Sequence, residues 1–500
     1  MKPMLKRLAL ISLFLHAASQ AAPLSPAATA TALHARKTYA AQVVDSLAGM
    51  VAFNTVADPK VPFDRNPAHI GFKRFIKQEA FRLGLDFTDY GYVMVVGLGE
   101  GKERVGVVTH GDVQPVDPSK WKQSPFKLDR VSEPGLLLGR GTEDDKGPIA
   151  TAMYAMKAIK DRKLALKKRI ELYIYMAEES DWAPLEAFLK THTPPQINIT
   201  LDAEYPAVTA EKGWGEVRVT LPDMGAAPGS TPLMASFTGG FFGSQIPEDA
   251  SAAIDNANAE LEAAIRARAA MQQGMQYRYT WEGKRLIINA KGLAAHSSKP
   301  QEGVNAIAML ADALDVQSWR ASQAGLMVDF VNDMIGTGLY GERFGKIAYS
   351  DSFMGPLTVS PTTLKQEEKG LVLGINLRRP RGKSTAELTA QLQQAFDKWK
   401  APRQPRATLQ AQITEPWVQD NAPQLPTLMK VFSHYTGGTD PQPIAIGGGT
   451  NSRLFPHAVA FGPTMPGKIY TGHSEHEYIS EQQLLLNLEM YTAVLVELAR

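Results

Sequence analysis

The run VGVVTHGD, Val105–Asp112, begins as a β-branched stretch and ends in histidine, glycine and aspartate. Val105 to Thr109 reads as a strand on that composition. Further along, Pro148 to Ile159 places Ile149, Met153 and Met156 on one helical face, and Ile170 to Met176 is a second strand candidate. Strand, helix and strand in that order form a β–α–β unit. Ile197 to Leu201 adds a third strand, and from about Ala32 to Lys212 helical and strand patterns alternate. The expected fold is therefore α/β, with helices on both faces of a mostly parallel sheet. Such sheets hold ligands beyond the carboxyl ends of their strands, and all three strands run into acidic or imidazole residues.

Outward from this unit the texture changes. Residues 213–380 carry a Pro/Gly/Ser-rich stretch at Pro222 to Pro247, helices expected at Asp255–Met271 and Gly303–Leu314, a hairpin at Glu282-Gly283 and a strand at Leu371–Leu377. They read as an inserted α+β lid between two parts of a catalytic domain, 22–212 and 381–500. Near the C-terminus Ser480 and Gln483 predict a capping box, and Leu484, Leu488, Tyr491 and Leu495 a buried stripe. At the other end Lys2, Lys6 and Arg7 precede the apolar run Leu8–Ala18, with small residues at Ser19 and Ala21. This is the pattern of a signal peptide over residues 1–21, and the run is shorter than the ~20 apolar residues a membrane span needs. A periplasmic or secreted protein with no stable membrane anchor is expected.

Composition narrows the chemistry. The 500 residues, 44% hydrophobic, allow two or three cores, since single cores stop growing near ~250–300 residues. A net charge of +2 gives no basic field for nucleic acid. The chain has no cysteine, which excludes disulfides and thiol nucleophiles, so any bound metal must use His, Asp and Glu.

Five clusters offer such groups. His110 and Asp112, two apart on a strand end, project the same way, so the carboxylate can accept one imidazole N–H and leave the other nitrogen for a metal; a surface turn would read the same. Glu143-Asp144-Asp145 opens the Pro148 helix, where acids repel phosphate and suit a cation, or simply complement the helix dipole. In Glu178-Glu179 the side chains diverge, so one can bind metal while the other acts as general base. Asp202 and Glu204 follow the next strand, and His473 lies in the turn HSEHE, 473–477.

The runs THGDV (109–113), GRGTEDDKG (139–147), EES (178–180), LDAEYP (201–206), EKG (211–213), NLR (376–378) and GGGT (447–450) resemble the co-catalytic dizinc metallopeptidases that include aminoacylases, acetylornithine deacetylases and carnosinases, and look most like the peptidase V-type dipeptidases. The resemblance implies two Zn2+ ions, with Mn2+ or Co2+ as substitutes. It makes Asp144 the carboxylate bridging both metals, with His110 and Asp202 completing one site and Glu179 and His473 the other. Asp112 would orient His110, and Glu178 would be the base. From the lid, His296 would stabilise the oxyanion and Arg378 grip the substrate carboxylate, with Gly448 and Thr450 beside it; a turn histidine and a surface ion pair are the bland alternatives for the first two. A cis peptide at Asp144-Asp145 is also implied. Where relatives usually carry Val-Val-Pro or Val-Val-Ala after the Asp, this chain has Val113-Gln114-Pro115.

The expected activity is hydrolysis of a small peptide, most simply a dipeptide, by a monomer whose long lid supplies its own His296. An N-acyl-amino-acid deacylase or carbamoylase would use the same metals. A periplasmic binding protein, with a signal peptide and two α/β regions around a cleft, would need none.

Overall fold

The computed structural model describes residues 23–225, 228–404 and 406–500. The signal-peptide segment lies outside them. Two sheets, each with its own hydrophobic core, account for most of the described chain.

The first sheet runs in the order Asp86–Asp89, Val93–Leu98, Arg169–Tyr175, Arg104–His110, Ile197–Thr200, Val459–Ala460, Val208–Glu211 and Trp417–Val418, with Ile444–Ile446 also paired to Val208–Glu211. It is mixed rather than purely parallel. Arg169–Tyr175, Arg104–His110, Ile197–Thr200 and Val459–Ala460 are mutually parallel, whereas the outer pairings on both sides are antiparallel, except for that of Ile444–Ile446. The β–α–β pattern identified the parallel middle; antiparallel edge strands follow short turns that carry no such signature.

Side-chain alternation splits these strands between two cores. Ile170, Leu172 and Ile174 join the larger one, under helices Pro26–Val51, Lys146–Asp161 and Glu481–Ala499, while Tyr173 and Tyr175 face the smaller one with Leu185 of helix Ala183–Thr191. The stripe Leu484, Leu488, Tyr491 and Leu495 is fully buried there. Its helix begins as expected, with Ser480 Oγ accepting from Gln483 N at 3.0 Å. The box is only half formed, because the Gln483 amide turns to Pro463 and Asn487.

The second sheet is antiparallel throughout and ordered Gln276–Glu282, Arg285–Lys291, Asp249–Asp255, Leu233–Gly239, Thr358–Glu367, Gly370–Arg379, Gly213–Leu221 and Thr408–Ile413. The hairpin forms where predicted, Glu282 opposite Arg285, with Gly283 at φ +62 where glycine carries no Cβ penalty. The two expected helices start later, at Ala259 and Ala306, because Asn258 and Asn305 cap them. The boundary expected at 380 falls too early. Helix Thr385–Lys400 buries Leu388, Leu392 and Phe396 in the lid core, and Thr408–Ile413 closes the lid sheet, so the lid runs to about Ile413. Periodicity shows which face of a helix is apolar but not which core receives it. Among the described residues no helix is long and apolar enough to cross a membrane.

Candidate metal centre

Strand Arg104–His110 ends with His110, whose backbone N–H is held by Asp145 at 3.1 Å. Its imidazole Nδ1 lies 3.0 Å from the Asp112 carbonyl oxygen, so Nδ1 carries the proton and Nε2 points at carboxylates: Asp144 Oδ1 at 2.7 Å and Asp202 Oδ1 at 3.8 Å. The orienting group is thus chiefly the Asp112 backbone. The Asp112 carboxylate sits 3.5 Å from the ring, because its two oxygens accept the N–H groups of Glu178 and Glu179, each at 3.0 Å. One side chain thereby fixes where both glutamates leave the neighbouring strand.

Asp144, at the start of helix Lys146–Asp161 and joined to Asp145 by a cis peptide, faces two histidines with its two oxygens. Oδ1 meets His110, and Oδ2 lies 3.2 Å from His473 Nε2. The same His473 nitrogen is 2.9 Å from Glu179 Oε1. All five expected metal residues therefore converge, with Glu178 beside Asp202 and His110.

The electrostatics are those of a site with too much negative charge for its protons. Burial, reinforced by Asp144 and Glu179, pushes the Asp202 carboxyl up to about 7. Burial and then Asp202 push Glu178 well above the usual carboxylate range. Asp144 goes the other way: although burial opposes it, the two histidines hold it well below normal. Burial would lower both imidazoles, yet the carboxylates win, raising His473 to about 10 and His110 well above its ordinary value. A buried group of carboxylates and two Nε2 atoms with no thiol is a hard, oxygen- and imidazole-rich donor set, and a bridging Asp with a ligand pair on each side matches two divalent ions. The residues fit the metals that the resemblance implies.

The lid closes the other wall of a cavity lined by Asp144, Glu178, Asp202, His296 and His473. His296 lies with its ring centroid 4.6 Å from that of His473. Its Nδ1 accepts the Ser298 N–H at 3.1 Å, which places the ring proton on Nε2, and burial, with His473 and Arg378 nearby, keeps the ring neutral. A Cβ on Gly447 would come 2.5 Å from the Ser298 carbonyl oxygen, so glycine there permits the loop 447–449 to abut the lid. Gly448 lines the cavity beside His296. Thr450 does so too, but its N–H and hydroxyl are donated to the buried Glu211 at 3.1 and 2.6 Å. It has no free donor for a substrate carboxylate.

Arg378 is buried, its side chain bonded to Asn376 and Ser297 among the described residues, and lines the adjoining cleft with Lys212. Burial and the nearby Arg453 lower Arg378 to about 10, while burial and Arg378 lower Lys212 to about 8. Lys212 donates to the Pro356 carbonyl, and among the described residues neither cation forms a salt bridge. Sequence reasoning quoted Lys212 without giving it a role. It quoted Glu143 and Glu477 within clusters without a role of their own, and it missed Tyr470. Glu477 is fully buried and binds Arg140 and the N–H groups of Gly141, Glu143 and Asp144, while Glu143 binds Thr464, Thr471 and Gly472. Tyr470 donates its hydroxyl to Asp144. The only signal for Glu477 and Tyr470 was proximity in sequence to His473.

The model of Peptidase family M20/M25/M40 matches residues 106–497. The chain is 31% identical over 415 residues, 82% of this chain and 86% of the relative, to a putative dipeptidase, YtjP, of Bacillus subtilis. It is 28% identical over 448 residues, 89% and 92% of the two chains, to a Beta-Ala-Xaa dipeptidase of Lactobacillus delbrueckii subsp. lactis. In fold it is similar to human carnosine dipeptidase 1, with a TM-score of 0.59 at 16% identity, covering 95% of this chain and 99% of that one.

Proposed function

The chain belongs to peptidase family M20/M25/M40, whose members are metal-dependent, and on that premise we propose that it is an exported, monomeric dipeptidase working with two zinc ions, which manganese or cobalt can replace. Peptide hydrolysis is the activity class of the family. The observation that carries the finer reading is Asp144, whose two oxygens serve His110 and His473 separately at 2.7 and 3.2 Å.

His110 and Asp202 would hold one ion and Glu179 and His473 the other, with Asp144 shared by both. When bound, such ions acidify water and offset the charge that develops on the scissile carbonyl. Glu178 takes the proton from the attacking water; its buried position beside Asp202 raises its proton affinity, which suits it to deliver the same proton to the leaving amine. His296, neutral and protonated on Nε2, donates to the carbonyl oxygen as it becomes an oxyanion. Arg378, with Lys212 beside it, orients the substrate through its terminal carboxylate. His296 reaches the cavity from this chain's own lid, which supports action as a monomer.

The test is a panel of free dipeptides against N-acetylated amino acids, run with zinc, manganese and cobalt, alongside metal analysis and light scattering. Turnover of free dipeptides, two metal equivalents and a monomeric mass are expected. Cleavage confined to the N-acylated compounds would make it a deacylase, and a metal-free preparation active on either would remove the mechanism. Export is tested by sequencing the N-terminus of the mature protein, expected near Ala22.

A further inference from the structure

The segment leaving strand Arg104–His110 stays extended, with Val113 bridged to Val56, so alternate side chains share a side. His110 is the first of these and meets the metal centre directly. Asp112 is the second and holds the backbone N–H groups of Glu178 and Glu179. Gln114 is the third, and its side-chain amide reaches Glu179 Oε2 at 2.7 Å while Glu179 Oε1 faces His473 at 2.9 Å. A carboxylate only accepts, so the atom Gln114 turns to it must be the NH2 group. Gln114 is 8% exposed, so water competes little for this charge-assisted bond.

We infer that Gln114 is a positioning residue for one half of the metal centre: by occupying the outer oxygen of Glu179 it presents the inner oxygen, alone, on the side of His473. The inference rests on the two-ion reading above and deepens it. Without the amide, Glu179 keeps its backbone anchor through Asp112 but its carboxyl can rotate, so the half-site it shares with His473 loses a fixed ligand. The half-site of His110 and Asp202 has no contact with Gln114 and should be untouched.

The experiment measures the affinities of both zinc equivalents by chelator competition for the wild type, Gln114→Met, Gln114→Glu, Glu179→Gln and the double variant Gln114→Met/Glu179→Gln, with thermal unfolding of each metal-free protein as the folding control. Partners of metal ligands typically contribute about 10- to 100-fold in affinity. Gln114→Met, similar in shape but lacking the donor, should weaken one equivalent by that factor and leave the other unchanged. Gln114→Glu, which sets a second carboxylate against Glu179, should weaken it further. In the double variant the Gln114 change should add nothing to the loss already caused by Glu179→Gln. Unchanged affinities, equal weakening of both equivalents, or additive losses would each overturn the inference. A wild type that takes up fewer than two ions would instead overturn the two-ion reading, before any variant is compared.

Discussion

Glu143 and Glu477 each bind the loop that carries the other. Glu477 accepts from the N–H groups of Gly141, Glu143 and Asp144 at 2.9, 2.9 and 3.1 Å, and Glu143 accepts from Thr471 N and Oγ1, both at 2.7 Å, two residues before His473. The bridging aspartate and the distant histidine are thus locked together through backbone, independently of any ion. Glu477→Ala should leave Arg140 without its buried carboxylate, holding only the Pro115 carbonyl, and three N–H groups without partners; removing one member of such a buried pair costs about 3–5 kcal/mol. Urea unfolding of the metal-free protein measures this; a loss under 1 kcal/mol would show that the loops hold each other by other means.

The same pair makes stability depend on pH. Burial, with Glu477 adding repulsion, raises the Glu143 carboxyl to about 7 from an ordinary 4.5. Between those values the folded protein holds a proton that the unfolded chain has released, so this group's contribution falls as pH rises from about 4.5 to 7 and is level above that. Glu143→Gln can still offer its carbonyl to Thr471 and its amide to Thr464. Its unfolding free energy relative to wild type should therefore increase across that interval, and a flat difference would refute the assignment.

Glu178→Gln should keep both metal equivalents and lose about 10²- to 10⁴-fold in kcat, the range of a general acid–base group. Metal analysis and steady-state kinetics on one preparation decide it. Wild-type turnover would end the role of Glu178 as base.

Lid substitutions should divide by parameter. His296→Ala removes a donor that acts as the oxyanion forms and should lower kcat by about 10²- to 10³-fold. Arg378→Met and Lys212→Met should act mainly on KM, the first more strongly, because Lys212 already gives one hydrogen bond to Pro356. A substrate whose terminal carboxylate is replaced by an amide should erase the difference between these two variants and wild type.

Metal uptake should liberate protons. His473, at about 10, and His110, higher than normal, are protonated in the metal-free protein at neutral pH, and Asp202, at about 7, is partly so. Each must lose its proton to bind a cation, so affinity should climb with pH up to about 10. Calorimetry in buffers of different ionisation enthalpy counts the protons; a count near zero would mean the imidazoles are already neutral.

Sequence made much of this visible where chemistry and periodicity coincide. His110 and Asp112 share a side because strands alternate, and that alternation continues to Gln114. Five ligand candidates scattered from His110 to His473 meet because four of them end strands or open the helix between strands of one sheet. What stayed hidden was whatever depends on a partner remote in sequence. Leu388, Leu392 and Phe396 showed an apolar face but not the lid core that takes it. Glu143 and Glu477 lay in quoted clusters but drew no role of their own, since no pattern announces a carboxylate that binds main-chain N–H groups from another loop.

Gln245, on the lid, donates its amide to the carbonyl oxygen of His473 at 2.8 Å, and Lys120 of the catalytic half pairs with Glu248 and Asp249 of the lid close by. An arrangement in which the lid touches the main chain of a ligand obeys reciprocity: by whatever factor docking of the lid tightens the hold on an ion, the ion must favour docking by the same factor. Starved of metal, the enzyme should therefore gape, and be cut by added proteases at the lid connections more readily than the loaded form.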